Sequence, residues 1–290
     1  MAPSSDVTKF QSILQKSRHI IAIAGAGLSA ASGIPTFRGS DGLWLNYTLS
    51  DLATPRAFRK NPSKVWQFYH YRREIAGKAL PNPAHIALAL FSQPDQRKEI
   101  APDAEFTLIT QNVDGLSVLC SQMLFPSTDP PIIEMHGRLF ETLCTQCGDR
   151  MPNRDSPICP ALAGTEELVK SHAKERQISL EDLPRCPKCR GLLRPGVVWF
   201  EESILHDEEI SELVDQADVA LVIGTSSRVA PANLFAHSVA ERKGTVAVFN
   251  TEPQGIGSAH FYFPGPCEQT LPRVLLGKEP DKMNGILQQD

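Results

Sequence analysis

Four short runs along the chain are apolar at consecutive positions, and each ends in glycine or polar residues. They lie at residues 20–24, 106–110, 219–223 and 246–249, with a weaker fifth run at 132–135. A strand that is apolar on both faces is typical of a parallel sheet covered by helices on both sides. The pattern therefore predicts a buried parallel sheet.

Helical patterns separate these runs. Asn61 followed by Pro62 predicts an N-cap and a first helical residue, which open a helix through about residue 76. Further helices are predicted at residues 207–216 and 231–243. Because strands and helices alternate, we expect an α/β fold with a Rossmann-like, doubly wound parallel sheet.

Two segments do not fit the alternation. Residues 45–83 are helical and rich in aromatic side chains, and residues 138–193 contain two Cys-x-x-Cys pairs with little periodicity. We interpret them as a helical insertion and a four-cysteine module that together form a smaller lobe. The sheet domain then consists of residues 1–44, 84–137 and 194–276. Residues 277–290 form a polar tail, which we expect to be poorly ordered.

The first predicted strand leads into a glycine loop, Gly25-Ala26-Gly27-Leu28-Ser29-Ala30. Such a loop lets the backbone approach a pyrophosphate, and the N-terminus of a following helix favours its negative charge. The match alone is equally typical of a tight turn. A dehydrogenase also places an acidic residue about 20 positions further on, whereas residues 37–44 form a glycine-punctuated loop. This weighs against hydride transfer.

Polar residues follow the other predicted strands as well. They are QNVD at 111–114, GTSS at 224–227, NTE at 250–252, and His136 after the weak fifth run. Ligands of open α/β sheets bind at the carboxyl ends of strands. Any one of these segments is typical of a turn, but together they favour a nucleotide site. His136 is the best candidate for proton transfer, because histidine titrates near neutral pH.

The cysteines point to a metal. Cys144, Cys147, Cys186 and Cys189 form the two Cys-x-x-Cys pairs in a chain without a recognisable secretory signal. This spacing favours one structural zinc ion, because four thiolates leave no open coordination position. Cys159 lies between the pairs and is a possible competing ligand.

Charge and hydropathy exclude other classes. The 290 residues carry a net charge of −4, which gives no general reason to bind nucleic acid or anionic membranes. No apolar run approaches the ~20 residues that span a bilayer. The N-terminal region is neither a long apolar run nor rich in arginine. We therefore expect an intracellular protein, with the mitochondrial, cytoplasmic and nuclear compartments unresolved.

The helix that begins near Asn61 places Val65, Tyr69, Arg72 and Ala76 on one face. If Val65 faces inward, Arg72 does too, and a buried arginine needs an anion. The helix alone favours a snorkelling side chain or a distant acidic partner over a role for Arg72 in binding.

Taken in order, the motifs resemble those of the sirtuin family of NAD-dependent protein-lysine deacylases. The matching segments are GAGLSAASGIPTFRG at 25–39, TQNVDGL at 110–116, EMHG at 134–137, GTSS at 224–227 and NTE at 250–252. They occur in the order typical of the family, from the first predicted strand to the fifth.

The resemblance implies NAD as a co-substrate. The oxygen of an acylated lysine displaces nicotinamide from its ribose, and His136 acts as general base on a ribose hydroxyl. The products are free lysine, nicotinamide and O-acyl-ADP-ribose, and the partners are acylated lysine side chains of proteins. The implied NAD contacts are Gly25, Ala26, Gly27, Ser29, Phe37, Arg38, Gln111, Asn112, Asp114, Gly224, Thr225, Ser226, Asn250, Thr251, Glu252 and Cys267.

The resemblance extends to the class III branch, which removes succinyl, malonyl or glutaryl groups. Tyr69 and Arg72 match the Tyr-x-x-Arg signature that holds the acyl carboxylate in that branch. Ala53 matches a small residue that leaves room for a longer acyl chain. Val198, Trp199 and Phe200 resemble the strand that pairs with a substrate peptide. The implied activity is removal of acidic acyl groups, with weaker deacetylation.

The chain departs from the family pattern at two positions besides the long segment that contains Cys159. Ser117 stands where the family usually has histidine, and Glu201 stands in a loop that usually reads Phe-Gly-Glu. The second change puts peptide binding in doubt rather than NAD chemistry.

Three alternative functions are retained. A mono-ADP-ribosyltransferase on the same fold would also begin with loss of nicotinamide. A zinc-containing NAD dehydrogenase would reduce the cofactor reversibly, and a non-catalytic NAD-sensing scaffold would not need His136.

Overall fold

The computed structural model of the chain describes residues 2–36, 43–171, 173–253 and 257–288. Its strands are β1 His19–Ala24, β2 Leu43–Trp44, β3 Tyr47–Thr48, β4 Glu105–Thr110, β5 Ile132–Glu134, β6 Gly137–Cys144, β7 Arg150–Pro152, β8 Leu193–Val197, β9 Val219–Ile223, β10 Thr245–Asn250 and β11 Phe261–Pro264. Its α-helices are α1 Val7–Leu14, α2 Leu49–Leu52, α3 Pro55–Lys60, α4 Pro62–Lys78, α5 Pro83–Ser92, α6 Pro94–Arg97, α7 Leu116–Leu124, α8 Leu168–Ser171, α9 Asp207–Gln216, α10 Ala232–Glu241, α11 Cys267–Leu276 and α12 Pro280–Asn284. Among these residues no helix is both long and apolar enough to cross a bilayer.

Six strands form one parallel sheet in the order β11, β10, β9, β1, β4, β5. The central strand β1 pairs with β4 and β9, so that Ala24 lies opposite Thr110 on one side and Ile223 on the other. Because the strands are parallel, their carboxyl ends meet at one edge of the sheet. The predicted α/β fold is confirmed, and β11 adds a sixth strand that the sequence pattern did not indicate.

Successive residues of β1 contribute to two different cores. Ile20 and Ala22 pack with helices α1, α5 and α11 on one face of the sheet. Ile21 and Ile23 pack with helices α9 and α10 on the other face. An isoleucine that is fully buried in this way contributes about 1.5–3 kcal/mol. This burial on both faces explains why the strands lack an alternating pattern.

The small lobe draws on both segments that interrupt the alternation. The first contains strand β3 and helices α2–α4, and the second contains β7 and most of β6. Strand β2 and most of β8, which pair with β3 and β6, lie just outside the predicted bounds of these segments. Phe58, Trp66 and Phe68 share one core with Leu139 and Leu193. The indole nitrogen of Trp66 also donates a hydrogen bond of 2.8 Å to the Leu193 carbonyl. Neither segment therefore closes a core alone.

Helix α4 forms as predicted and runs through the middle of this lobe. The Asn61 side chain caps its N-terminus by accepting a hydrogen bond from the backbone of Lys64 at 2.9 Å. Val65 and Tyr69 are fully buried, and Arg72 is half-buried on the same side of the helix. The inward face predicted from the spacing is therefore the observed one.

The neighbouring Arg73 is also buried, which the spacing did not indicate. Its guanidinium donates hydrogen bonds to the carbonyl oxygens of Leu139, Asn153 and Asp155, at 2.7, 3.0 and 3.0 Å. These bonds tie helix α4 to strand β6 and to the loop after β7. Burial lowers the pKa of Arg73 to about 10, and nearby Asp155 and Glu74 oppose this shift.

The C-terminal segment differs from the expected poorly ordered tail. Helix α12 lies against α5, and its Met283 is fully buried beside Ile86, Leu90 and Cys120. Ile286 and Leu287 pack against the same cluster, but three apolar residues in a short polar segment are too few to indicate a helix from periodicity.

We predict that Met283→Ala lowers the free energy of unfolding by about 2–4 kcal/mol, because it leaves a cavity beneath α12. Met123→Ala is the matched control, since the side chain of Met123 is 46% exposed. This control should change stability by less than about 0.5 kcal/mol. Urea denaturation followed by circular dichroism measures both, and equal small effects would contradict the docking of α12.

Candidate active site and metal centre

Two adjoining cavities lie at the carboxyl edge of the sheet, between the two lobes. The inner cavity, about 310 Å³, is lined by residues that include Gly25, Tyr69, Arg72, Asn112 and His136. The outer groove, about 1020 Å³, is lined by residues that include Gly27, Gly224, Asn250, Thr251 and Cys267. Thr36, Leu49 and Phe200 line both cavities. A single cleft therefore connects the glycine loop to the face of helix α4.

Most of the predicted site residues meet in this cleft. Those that line the inner cavity are Gly25, Ala26, Ala53, Tyr69, Arg72, Gln111, Asn112, Asp114, His136, Val198, Trp199, Phe200, Thr225 and Ser226. Those that line the outer groove are Gly27, Gly224, Asn250, Thr251, Glu252 and Cys267. Ser29 lies beneath the cleft and is fully buried. Phe37 and Arg38 lie outside the described residues.

The glycine loop packs directly against the end of strand β9. The Gly27 backbone donates a hydrogen bond of 2.8 Å to the Gly224 carbonyl. A Cβ atom on Gly27 would lie 2.8 Å from both the Cα and the carbonyl oxygen of Gly224, so no larger residue fits. The helix that follows the loop is a 3₁₀ helix, Ala26–Ser32. Its dipole is correspondingly small, because the helix has only seven residues.

Three polar side chains beneath the glycine loop hold it in place. Asn112 was a predicted site residue, whereas Asn82 and His85 were not. The Asn112 amide donates hydrogen bonds to the Gly25 carbonyl at 3.0 Å and to the Ser29 hydroxyl at 3.2 Å. The Ser29 hydroxyl lies 3.4 Å from Nε2 of His85, and Nδ1 of His85 accepts a hydrogen bond from the Asn82 backbone. Burial lowers the pKa of His85 to about 4, so the ring is neutral with its proton on Nε2. Asn82 and His85 form a capping box that helix signals could have found. The hydrogen bond from the Asn82 amide to the Leu28 carbonyl and the contact of His85 with Ser29 could not be read from the sequence.

His136 is half-buried in the inner cavity, and its tautomer is fixed by the backbone. Its Nδ1 lies 3.0 Å from the Gln111 carbonyl, which can only accept a hydrogen bond. Nδ1 therefore carries the proton, and Nε2 keeps a lone pair. Burial lowers the pKa of His136, and the hydrogen bond from Nδ1 to Gln111 partly opposes this shift. The ring is thus a neutral base near pH 7.

Asp114 is buried, and its carboxylate accepts a hydrogen bond of 2.9 Å from the Leu116 backbone at the start of helix α7. Ser117, where the chain departs from the family pattern, is buried one residue further on and lines neither cavity. The change to serine at position 117 therefore does not alter the walls of the cleft.

Tyr69 and Arg72 approach the inner cavity from helix α4. Burial lowers the pKa of Arg72, while the nearby Tyr69 and Asp114 oppose this shift. Burial raises the pKa of Tyr69, so its hydroxyl stays protonated. Ala53 is also buried at this end of the cavity, where its small side chain leaves space.

The segment after strand β8 forms the other wall. The Val198 backbone donates a hydrogen bond to the His136 carbonyl at 2.8 Å, and Phe200 donates to the Ala53 carbonyl at 2.9 Å. Trp199 is buried, whereas Phe200 and Glu201 are exposed. Glu201 has a φ of 74°, a left-handed conformation that glycine adopts more easily. The loop thus keeps a turn suited to glycine although a glutamate occupies it.

The four predicted metal ligands converge at the far side of the small lobe. The Sγ atoms of Cys144, Cys147, Cys186 and Cys189 lie within 4.8 Å of one another. Four sulfurs bound at about 2.3 Å to one zinc ion would lie about 3.8 Å apart, so the set fits a tetrahedral ion. A Cβ on Gly191 would lie 3.0 Å from the Cys144 sulfur, so this turn requires glycine. Cys159 does not belong to the cluster.

Comparisons with known proteins agree with this geometry. The family model described as the Sir2 family matches residues 25–231. The NAD-dependent protein deacylase sirtuin-5, mitochondrial, of Danio rerio is 44% identical, with 94% of this chain and 87% of that protein covered. An NAD-dependent protein deacylase of Pyrococcus furiosus is 40% identical, with 91% and 94% covered. A crystal structure of a Sir2 homologue in complex with NAD has a TM-score of 0.76 and 32% identity, with 99% of this chain and 98% of that chain covered.

We predict that the purified protein contains one zinc ion per chain and that Cys186→Ser removes it. Loss of the ion leaves three thiolates and a lobe with a weakened core, so the melting temperature falls by about 2–4 °C for each kcal/mol lost. Cys159→Ser is the matched control and should retain both zinc and stability. Mass spectrometry of metal content and calorimetry test this, and equal zinc loss in both variants would contradict the assignment of ligands.

Proposed function

This chain belongs to the Sir2 family, and we propose that it is an NAD-dependent protein-lysine deacylase that prefers acyl groups ending in a carboxylate. Succinyl, malonyl and glutaryl lysine are the proposed substrates, and acetyl lysine is a weaker one. The observation that carries the proposal is that Tyr69 and Arg72 line the same cavity as His136 and the glycine loop.

NAD, when bound, supplies a ribose carbon from which nicotinamide departs as the lysine amide oxygen attacks. The outer groove and the glycine loop fit the nucleotide, because Gly27 and Gly224 line the groove with backbone that carries no side chain. Asn250, Thr251 and Glu252 at the end of β10 are proposed to bind the second ribose. Asn112 and Asp114 would orient the nicotinamide ribose, and Asn112 is already fixed by Gly25 and Ser29.

His136 is proposed to accept the proton of a ribose hydroxyl. Its Nε2 has the free lone pair, because Nδ1 donates to the Gln111 carbonyl. That bond also stabilises the imidazolium formed after proton transfer, since the carbonyl dipole points at the charged ring. The residue thus combines the position, tautomer and basicity that a general base requires.

Arg72 is proposed to pair with the terminal carboxylate of the acyl group, and Tyr69 to donate a hydrogen bond to it. A hydrogen bond to a charged group contributes roughly 1.5–3 kcal/mol. An acetyl group makes neither interaction, so a preference of about tenfold or more is expected. Ala53 leaves space for the longer chain.

The substrate is proposed to be an acylated lysine in a protein segment that lies along Val198 and Phe200. The left-handed turn at Glu201 supports this, because the loop retains its form despite the change from glycine. An intracellular location is proposed as well; the name of the Danio rerio relative specifies mitochondria.

We predict that Arg72→Met lowers kcat/KM for a succinyl-lysine peptide by at least about tenfold, because one charge-assisted interaction is lost. The kcat/KM for the same peptide with acetyl lysine should change by less than about twofold. Arg59→Met, an exposed arginine of helix α3, is the matched control. Mass spectrometry of the peptides with and without NAD provides the measurement.

Equal loss of both activities would contradict carboxylate recognition. Failure of the wild type to release nicotinamide with any acylated lysine would contradict deacylation itself. Transfer of labelled ADP-ribose to protein, rather than to a small acyl product, would favour the mono-ADP-ribosyltransferase alternative.

A second prediction concerns pH. As pH falls through the pKa of His136, Nε2 gains a proton and can no longer act as a base. Because burial lowers this pKa from 6.5, the acid limb of kcat/KM for an acetyl peptide should have its midpoint below pH 6.5. An acid limb with a midpoint above 6.5 would contradict the assignment, as would activity in His136→Ala.

A further inference from the structure

The hydroxyl of Tyr69 is enclosed on the protein side by a tryptophan. Tyr69 is fully buried, and the indole Nε1 of Trp199 lies 3.0 Å from its oxygen. An indole N–H can only donate, so the phenol oxygen accepts this bond. Trp199 therefore uses one lone pair of Tyr69 and cannot receive its proton.

Arg72 is the charged neighbour of Tyr69. Its guanidinium carbon lies 5.6 Å from the centroid of the Tyr69 ring, and its positive charge opposes the rise in the Tyr69 pKa. A guanidinium also only donates, so Arg72 cannot receive a hydrogen bond from the Tyr69 hydroxyl. The one O–H bond of Tyr69 is left to point to a third partner, and the inner cavity is the space that Tyr69 lines.

Trp199 is itself held by an ion pair. The Arg194 guanidinium lies 3.4 Å from the centroid of the indole ring, a close cation–π contact. Nη1 and Nη2 of Arg194 pair with the two carboxylate oxygens of Glu202 at 2.5 and 2.8 Å. Glu202 also accepts a hydrogen bond of 2.8 Å from the Trp199 backbone. These contacts form a closed ring that fixes the indole in one orientation.

We propose that Trp199 is a positioning residue for acyl selectivity, which aims the Tyr69 hydroxyl as a donor at the carboxylate of the acyl group. Arg194 and Glu202 hold the indole in place for this role. The proposal rests on the proposed preference for acidic acyl groups. It differs from the role that family resemblance implies for Trp199, because the indole is buried rather than laid against a peptide.

The effect should be confined to substrates that carry the carboxylate. The acyl carboxylate is present before and during reaction, so a misdirected hydroxyl weakens both states alike and raises KM with little change in kcat. An acetyl group offers no acceptor at this position. Selectivity, rather than activity in general, is therefore the quantity that Trp199 controls.

The test is a double-mutant cycle with Trp199→Phe and Tyr69→Phe. Phenylalanine keeps an aromatic ring beside Arg194 but has no N–H to donate. We expect Trp199→Phe to raise KM for a succinyl-lysine peptide about three- to tenfold more than KM for the same peptide with acetyl lysine. In the Tyr69→Phe background, Trp199→Phe should have no further effect on the succinyl-to-acetyl ratio, because the hydroxyl it directs is absent.

Two results would overturn the proposal. If the loss of selectivity in the double variant equalled the product of the two single losses, Trp199 would act independently of the Tyr69 hydroxyl. Equal losses for succinyl and acetyl peptides in Trp199→Phe would mean that it serves binding common to all substrates. If the wild type itself fails to prefer the succinyl peptide, the proposed function fails first, and this reference measurement identifies that case.

Glu202→Gln is a second variant that tests the proposal if Trp199→Phe does not fold correctly. It retains the indole N–H but weakens the ion pair with Arg194 that orients the ring, so the same selectivity loss is expected at smaller size. The loss should again vanish in the Tyr69→Phe background, and persistence there would count against the proposal. Melting temperatures and acetyl-peptide turnover report whether each variant is folded.

Discussion

Helix α4 is held at two points by buried hydrogen bonds, and the end of the cleft that we propose binds the acyl group depends on the orientation of this helix. Trp66 joins it to strand β8, and Arg73 joins it to strand β6 and to the loop after β7. A rotation of the helix by one residue would break these bonds and leave a buried guanidinium without acceptors, which is costly. The same constraint keeps Tyr69 and Arg72 facing the cavity. Their position follows from the packing of the helix rather than from any contact with a ligand.

Much of this arrangement could be predicted, because it depends on local periodicity. The both-face apolar runs indicated the strands, polar residues after them indicated the edge that carries the site, and Val65 indicated the inward face of helix α4. Cys-x-x-Cys spacing indicated the metal centre. The roles of single residues, and the division of the chain between the lobes, stay predictions.

The contacts that could not be predicted from the sequence join segments that are distant along the chain. Trp199 meets Tyr69 across 130 positions of chain, and Ser29 meets His85 across 56. Arg73 is buried beside an inward Arg72 because helix α4 is surrounded, and a surrounded helix shows no polar face. The two neighbouring glutamates also differ in structural role, which the sequence does not show. Glu202 forms an ion pair with Arg194. Glu201 adopts a left-handed backbone conformation, which costs a non-glycine residue about 1–2 kcal/mol.

The two-piece construction of the small lobe has a consequence for how such a protein can change over evolution. Its core is shared between segments separated by the central strands, so each segment supplies half of one apolar surface. Transplanting the cysteine module from a homologue without its helical counterpart would expose mismatched aromatic faces. The two insertions should therefore be inherited together, because each completes the apolar core of the other.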